Sequence, residues 1–252
     1  MTEAILPSTG GQAASGVGQQ ARLMILIKLA DEYYRGRGSR ALAWAPRELL
    51  ASDQPGQLTG ELERFLAAND SYELEWRLSR ALFLDGEKSP HFYTRGALHG
   101  RRAVELDASR VEGHFWMGVN LALRAEASKG LRGAFALLES RAALRRACKI
   151  SEDYHGAGPL RVLGRLEHKS PRILGGSLAR SLTLYNRALA IAPANTVTLV
   201  YAAQLEIDRQ NLERAVSLLE TVMGLPIDPD WEFENIRDKN LAKSMLSRLQ
   251  SA

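Results

Sequence analysis

Cysteine is almost missing from this chain: its 252 residues include a single one, Cys148. No intrachain disulfide can form, so the sequence offers no sign of an oxidising compartment. Within "RRACKI" the thiol reads as a small buried filler among helical residues. Long apolar runs are missing too. The longest early one, "LMILI" from Leu23 to Ile27, falls far short of the about 20 residues that cross a bilayer. No basic segment precedes it and no small-residue cleavage site follows, so the sequence as written is expected to be cytoplasmic. Strand-like alternation and Asn-Gly hairpin turns are also absent, which excludes a sheet-based fold.

Motif chemistry is equally sparse. The five histidines, His91, His99, His114, His155 and His168, show no H-x-x-x-H spacing, and a C-x-x-C pair is impossible, so no metal site is expected. "GGSLARS" lacks the lysine and spacing of a phosphate loop. "YHGAGPL" has a G-x-G without the preceding strand that a dinucleotide site needs. Glu73 and Glu75 point to different helix faces and cannot share a substrate. The expectation is a non-enzyme with no cofactor. Charge is nearly balanced, 33 basic against 29 acidic residues, a net +4, and no nucleic acid partner is expected. One cluster, Arg141, Arg145, Arg146 and Lys149, recurs at helical spacing. It reads as a solvated helix face, and contact with an anionic surface or nucleic acid through residues 141–149 is the alternative function.

What is present, from Gly18 onward, is helical periodicity. Residues 1–20, rich in Gly, Ser, Gln and Ala, are expected to be a disordered leader, and residues 21–252 one helical-repeat domain. Four segments end alike, with a small residue, an aliphatic three positions on, then a polar or proline stop: "RRAVELDAS", "RRACKISED", "NRALAIAPAN" and "ETVMGLP". Their anchors are Ala103, Ala147, Ala188 and Val222. The last interval is the tetratricopeptide period of about 34 residues, and the earlier two exceed it by about 7 to 10. Helices of one pattern follow or precede the anchors, each with a large residue and then a small one: Leu78–Ser79, Met117–Gly118, Leu163–Gly164, Ala202–Ala203. The small residue lets the partner helix approach, with Ser181 and Ala215 as its counterparts on the second helices. Glycine in a helix costs about 1 kcal/mol against alanine, so Gly118 and Gly164 mark crossing points. Gly113, at a helix start, costs less.

The expected fold is therefore all-α: a right-handed α-solenoid of about four tetratricopeptide-like helix pairs, with an N-terminal capping helix over Ala21–Arg37 and a C-terminal one from about Phe233. Three insertions, "DGEKSPHFYTRG", "AEASKGLRGAFALLES" and "KSPRILGGSLAR", fall between paired helices. The middle one carries Leu131, Phe135, Leu137 and Leu138 and either extends both helices or lines a cavity. The inner faces of the first helices form a groove: Glu73, Trp76, Arg80 and Phe83; Glu112, Phe115, Val119 and Leu123; Arg161, Arg165 and His168; Val200, Gln204 and Ile207. The candidate ligand-binding residues are Trp76, Arg80, Phe115, Val119, Arg161, Arg165 and Gln204. Apolar patches beside an arginine pair suit a ligand or peptide with an acidic end and a greasy body. Trp231, in the turn before the last helix, reads as a packing anchor.

Gly113, His114, Trp116 and Gly118, then Gly156, Gly158, Arg161 and Gly164, then "LPIDPDWEFE" from Leu225, resemble the T-component family of tripartite TRAP-type transporters, in order and spacing from about Leu58 to Leu249. A fainter likeness, through "HFWMG", is to a tetratricopeptide family of microtubule-dynamics regulators. The first resemblance implies a scaffold or binding protein whose helices enclose an apolar channel for a hydrophobic ligand, with a substrate-binding protein as partner. Members of that family are typically periplasmic lipoproteins, whereas the only cysteine here, Cys148, cannot serve as a lipidation site. Self-association is left open.

Overall fold

A computed structural model describes residues 10–36, 57–128 and 130–250. Among them the chain is all-α: eleven α-helices and no strand. Helices α1 (Gly10–Arg35) and α2 (Gln57–Leu66) precede four antiparallel pairs: α3 (Tyr72–Gly86) with α4 (His91–Leu106), α5 (Val111–Ala127) with α6 (Gly130–Ile150), α7 (Tyr154–Lys169) with α8 (Leu178–Ile191), and α9 (Thr196–Asp208) with α10 (Leu212–Gly224). Helix α11 (Glu232–Gln250) closes the stack against α9 and α10. Side-chain oxygens start several of these helices. Ser71, Ser177 and Asn195 accept from the backbone N–H three residues on, at 3.4, 3.3 and 3.0 Å, each satisfying a donor that the first turn leaves unpaired.

The crossings lie where the small residues predict. A Cβ on Gly118 would stand 2.7 Å from Leu144 of α6, and one on Gly164 2.7 Å from the ring of Tyr185 of α8. At each contact a serine hydroxyl donates to a carbonyl of the facing helix: Ser79 to Gly96 at 2.7 Å, Ser140 to Gly118 at 2.6 Å and Ser181 to Gly164 at 2.8 Å. The same glycine–serine latch thus recurs in three consecutive pairs, with the two residue types exchanged in the first. Asn120 ties neighbouring pairs together by donating to the Ser79 carbonyl at 2.9 Å. Gly113, in the first turn of α5, also sits close to α4: its Cβ would stand 3.1 Å from Ala103.

Helix α1 begins at Gly10, inside the segment expected to be a leader, and no proline between there and Arg35 interrupts it. Helix propagation from an anchored apolar face accounts for the extension. That face, Leu26, Leu29, Ala30 and Tyr33, is buried against α2 and α3. Residues 1–9 lie outside the described residues. The apolar middle insertion is mostly helix, the first turns of α6, with Leu137 buried and Leu131, Phe135 and Leu138 exposed. The third insertion forms a short 3-10 turn over Arg172–Leu174.

Candidate functional site

The inner faces of α5, α7 and α9 line a hollow of about 760 Å³, bordered by Tyr34 of α1, the start of α6, the 170–174 turn and the start of α11. Its apolar wall comes from Phe83, Phe115, Trp116, Val119, Leu123 and Leu166, and Trp231 and Tyr201 stand opposite. These side chains reach one space because α5 and α7 each bury one stripe in the pairwise crossings and turn the next stripe inward.

The beginning of α7 shapes the floor. His155, Gly156 and Ala157 all adopt left-handed backbone angles, φ 55°, 60° and 59°, before Pro159 opens the right-handed helix, a position where its missing N–H costs nothing. The left-handed turn swings the His155 ring into an aromatic nest with centroids 4.9 Å from Trp231, 5.4 Å from Trp116 and 5.6 Å from Phe115. Tyr34 Oη lies 2.9 Å from His155 Nε2. Trp116 Nε1 donates to Tyr154 Oη at 3.1 Å, and burial pushes the Tyr154 phenol up to about 12. Beyond this nest a smaller space of about 320 Å³ shares Tyr34, His155 and Trp231 with the main hollow.

The same turn aims its carbonyls at Arg161. That guanidinium, 4% exposed, donates to Gly156 O at 2.7 Å, His155 O at 3.3 Å and Asn195 Oδ1 at 3.3 Å. Burial lowers its pKa, while Tyr201, Tyr34, Glu234 and Asp238 oppose the shift from a distance. One turn on, Arg165 donates to Gln204 Oε1 at 2.6 Å and lies over the Tyr201 ring at 4.5 Å.

Of the residues singled out from the sequence, Phe115, Val119, Arg161 and Arg165 line the hollow, with Phe83 and Leu123 beside them. Trp76, Arg80 and Gln204 do not. Trp76 is buried beneath Arg77 and Arg80, whose guanidiniums lie 4.1 and 4.9 Å from its ring. Arg80 turns to Asp31 of α1 and borders the smaller space. The reason is that α1 covers the inner face of α3 and supplies Asp31 to both Arg77 and Arg80. Gln204 is the acceptor for Arg165 rather than part of the wall. On α9 the wall comes from Val197 and Tyr201 instead of Val200, Gln204 and Ile207. Glu73 is held by Arg77 and Arg110. His168 is buried beside Asp208, 2.7 Å away. Trp231 both packs and lines the hollow, as do Trp116 and His155, which helical spacing alone did not assign to it.

The arginine cluster is not one solvated face. Arg141 turns inward to the buried Glu167 at 3.1 Å and to Leu174 O at 2.9 Å, leaving Arg145, Arg146 and Lys149 outside. Arg180 meets Glu167 from α8 at 2.8 Å. Among the described residues no helix is long and apolar enough to cross a membrane.

Stacked helix pairs around an inner hollow define a tetratricopeptide-like repeat protein. The solved structure of TTC0263, a thermophilic TPR protein from Thermus thermophilus, matches with a TM-score of 0.55 at 17% identity, over 76% of this chain and 93% of that one. MamA matches with a TM-score of 0.49 at 14% identity, over 73% and 90%. No curated protein matches. The family pattern described as TRAP transporter T-component matches residues 89–252, and the chain belongs to that family.

Proposed function

We propose that this chain is a non-enzymatic binding protein that holds a small apolar ligand, or an apolar segment of a partner protein, in the hollow between α5, α7, α9 and α11. The observation that carries the reading is the hollow itself: an aromatic and aliphatic wall shared by consecutive repeats, of a volume typical of small-molecule sites. Polar side chains of the wall are engaged in structural hydrogen bonds: His155 with Tyr34, and Arg165 with Gln204. Neither pairing is the nucleophile–base arrangement that acyl or phosphoryl chemistry requires. The family resemblance makes a substrate-binding subunit the expected protein partner.

Native mass spectrometry of the full chain from its own source tests this. The expected result is a retained small-molecule mass, or a stoichiometric protein partner, lost in Ala122→Trp, where an indole would fill the hollow. A partner or ligand retained unchanged in that variant would place binding elsewhere.

A further inference from the structure

Six charged residues border the hollow: Arg161, Arg165, Lys169, Arg237, Glu126 and Glu234. Lys169 is paired with Asp208 at 3.2 Å and Arg237 with Asp238 at 2.8 Å. Arg161 and Arg165 differ from them: among the described residues, neither forms an ion pair with a carboxylate. The two lie one helical turn apart on the same face of α7. Arg161 is almost wholly buried, and the groups it donates to are the neutral oxygens of His155, Gly156 and Asn195. Carbonyls solvate a guanidinium without neutralising it, and Glu234 and Asp238 offset its charge only from beyond ion-pair distance, so an anion in direct contact has charge left to compensate.

We propose that the ligand of this hollow is an amphiphile with an oxyanion head, carboxylate or phosphate, held by Arg161 and Arg165, with its apolar body along α5. This inference rests on the binding reading above and names the chemistry of the same site. Three features prepare the pair for that role. The left-handed carbonyls of His155 and Gly156 fix the plane of Arg161. Gln204 and the Tyr201 ring fix Arg165. Arg161 spends both hydrogens of Nη1 on Gly156 and Asn195 and turns Nη2 to His155, so it offers the anion a fixed positive charge. Arg165, bonded through Nη1 to Gln204 alone among the described residues, offers the free donors. Neither side chain reorganises first, which is where preorganised sites gain affinity. The apolar wall of Phe115, Val119 and Leu123 begins on the neighbouring helix. Glu234 and Asp238 act on Arg161 from beyond ion-pair distance, so they limit an anion's gain without replacing it.

The test is a titration of the full chain with dodecanoate, dodecyl phosphate and 1-dodecanol below their aggregation limits. Fluorescence of Trp116 and Trp231, both in the wall, is the readout. At least one anion should bind about tenfold or more tighter than the alcohol, the worth of one charge-assisted hydrogen bond. The tighter of the two anions identifies the head group. Arg165→Gln removes a half-buried charge, and Arg161→Lys keeps the buried charge but loses the fork that fixes it. In both, the ratio of anion to alcohol affinity, read within each variant, should shrink to about threefold or less. Glu234→Gln should strengthen it. Equal affinity for alcohol and anions would overturn the oxyanion anchor and leave the apolar binding reading standing. Preference undiminished in both arginine variants would place the anchor elsewhere and also overturn it. Binding of none of the three would overturn the oxyanion anchor and the small-ligand form of the binding reading, leaving a partner segment as the occupant for the mass-spectrometry test to decide.

Discussion

Gly164→Ala sets two opposed effects against each other at a helix crossing. Alanine gains about 1 kcal/mol of helix propensity over glycine. The added Cβ, however, would lie 2.7 and 2.9 Å from Tyr185 Cε1 and Cδ1, and that ring is fully buried, so it cannot swing aside into solvent. Ser181 meanwhile ties the two backbones together through its 2.8 Å bond to the Gly164 carbonyl. Overpacking of this kind costs about 1–3 kcal/mol, and here α7 must separate from α8 or Tyr185 must leave its rotamer, which puts the cost at the upper end. The net expectation is a loss of about 1–2 kcal/mol, or a Tm lowered by roughly 2–8 °C for a chain of this size. The control is Gly60→Ala in α2, where a Cβ meets nothing within 4 Å. There the propensity gain stands alone and Tm should rise slightly. Scanning calorimetry on both variants reads the contrast. If Gly164→Ala is as stable as the parent, the glycine is not what sets the approach of α7 and α8, and the latch account of the repeats fails.

Three further outcomes follow from the geometry. Glu167→Ala strips the carboxylate from buried Arg141, and removing one partner of such a pair costs about 3–5 kcal/mol; a thermal melt should show a large fall, and an unchanged Tm would mean the pair is solvated. His114 sits buried with Nε2 3.1 Å from Ala108 O, and burial lowers its pKa. A depressed folded value means stability that is full above the ordinary value near 6.5 and lost as pH falls through it toward the folded value. Tm should therefore drop between about pH 7.5 and 5.5, more steeply in the parent than in His114→Asn, and identical slopes would contradict this. Burial raises the Cys148 thiol to about 11 from its ordinary value near 9. The neutral thiol thus adds stability below about pH 9 that is lost as pH rises toward 11. At about pH 8 a thiol reagent should label the folded chain about 100-fold more slowly than the unfolded one; comparable rates would refute the burial.

The repeat architecture was legible because it depends on local size alternation. A small residue after a large one on a helix can only be a crossing or a flaw, and Ser79, Gly118, Gly164 and Ala203 recur too regularly to be flaws. All four are buried. Half of the inner wall was legible for a related reason: on α5 and α7 the stripe next to the crossing faces inward, which gives Phe115, Val119, Arg161 and Arg165. On α3 the same rule meets a non-local fact. Helix α1 folds over the inner face, and Asp31 draws Arg77 and Arg80 toward itself. Nothing in the spacing of α3 encodes that. On α9 the stripe is rotated, so that Tyr201 rather than Gln204 meets the hollow.

The left-handed start of α7 was illegible for a different reason. "YHGAGPL" looks like an ordinary loop-to-helix entry, since a single glycine at positive φ would suffice to turn the chain. Three consecutive left-handed residues, two of them with side chains, are a strained choice, costing roughly 1–2 kcal/mol for each non-glycine. Their cost is offset by contacts distant in sequence: Tyr34 at Nε2 of His155, Trp231 against its ring, and Arg161 at its carbonyl and that of Gly156. Remove Arg161 and those carbonyls lose their donor; straighten the turn and Arg161 loses its cradle. Gly156→Ala separates this from simple packing, because its Cβ would be 3.2 Å from Asn195 and 3.4 Å from Trp231 and the left-handed angle itself disfavours alanine. The variant should lose stability by about 1–2 kcal/mol and shift the near-ultraviolet circular dichroism of Trp231. A variant with full stability and an unchanged tryptophan signal would show that the turn is held by the surrounding helices alone and that Arg161 is free of it.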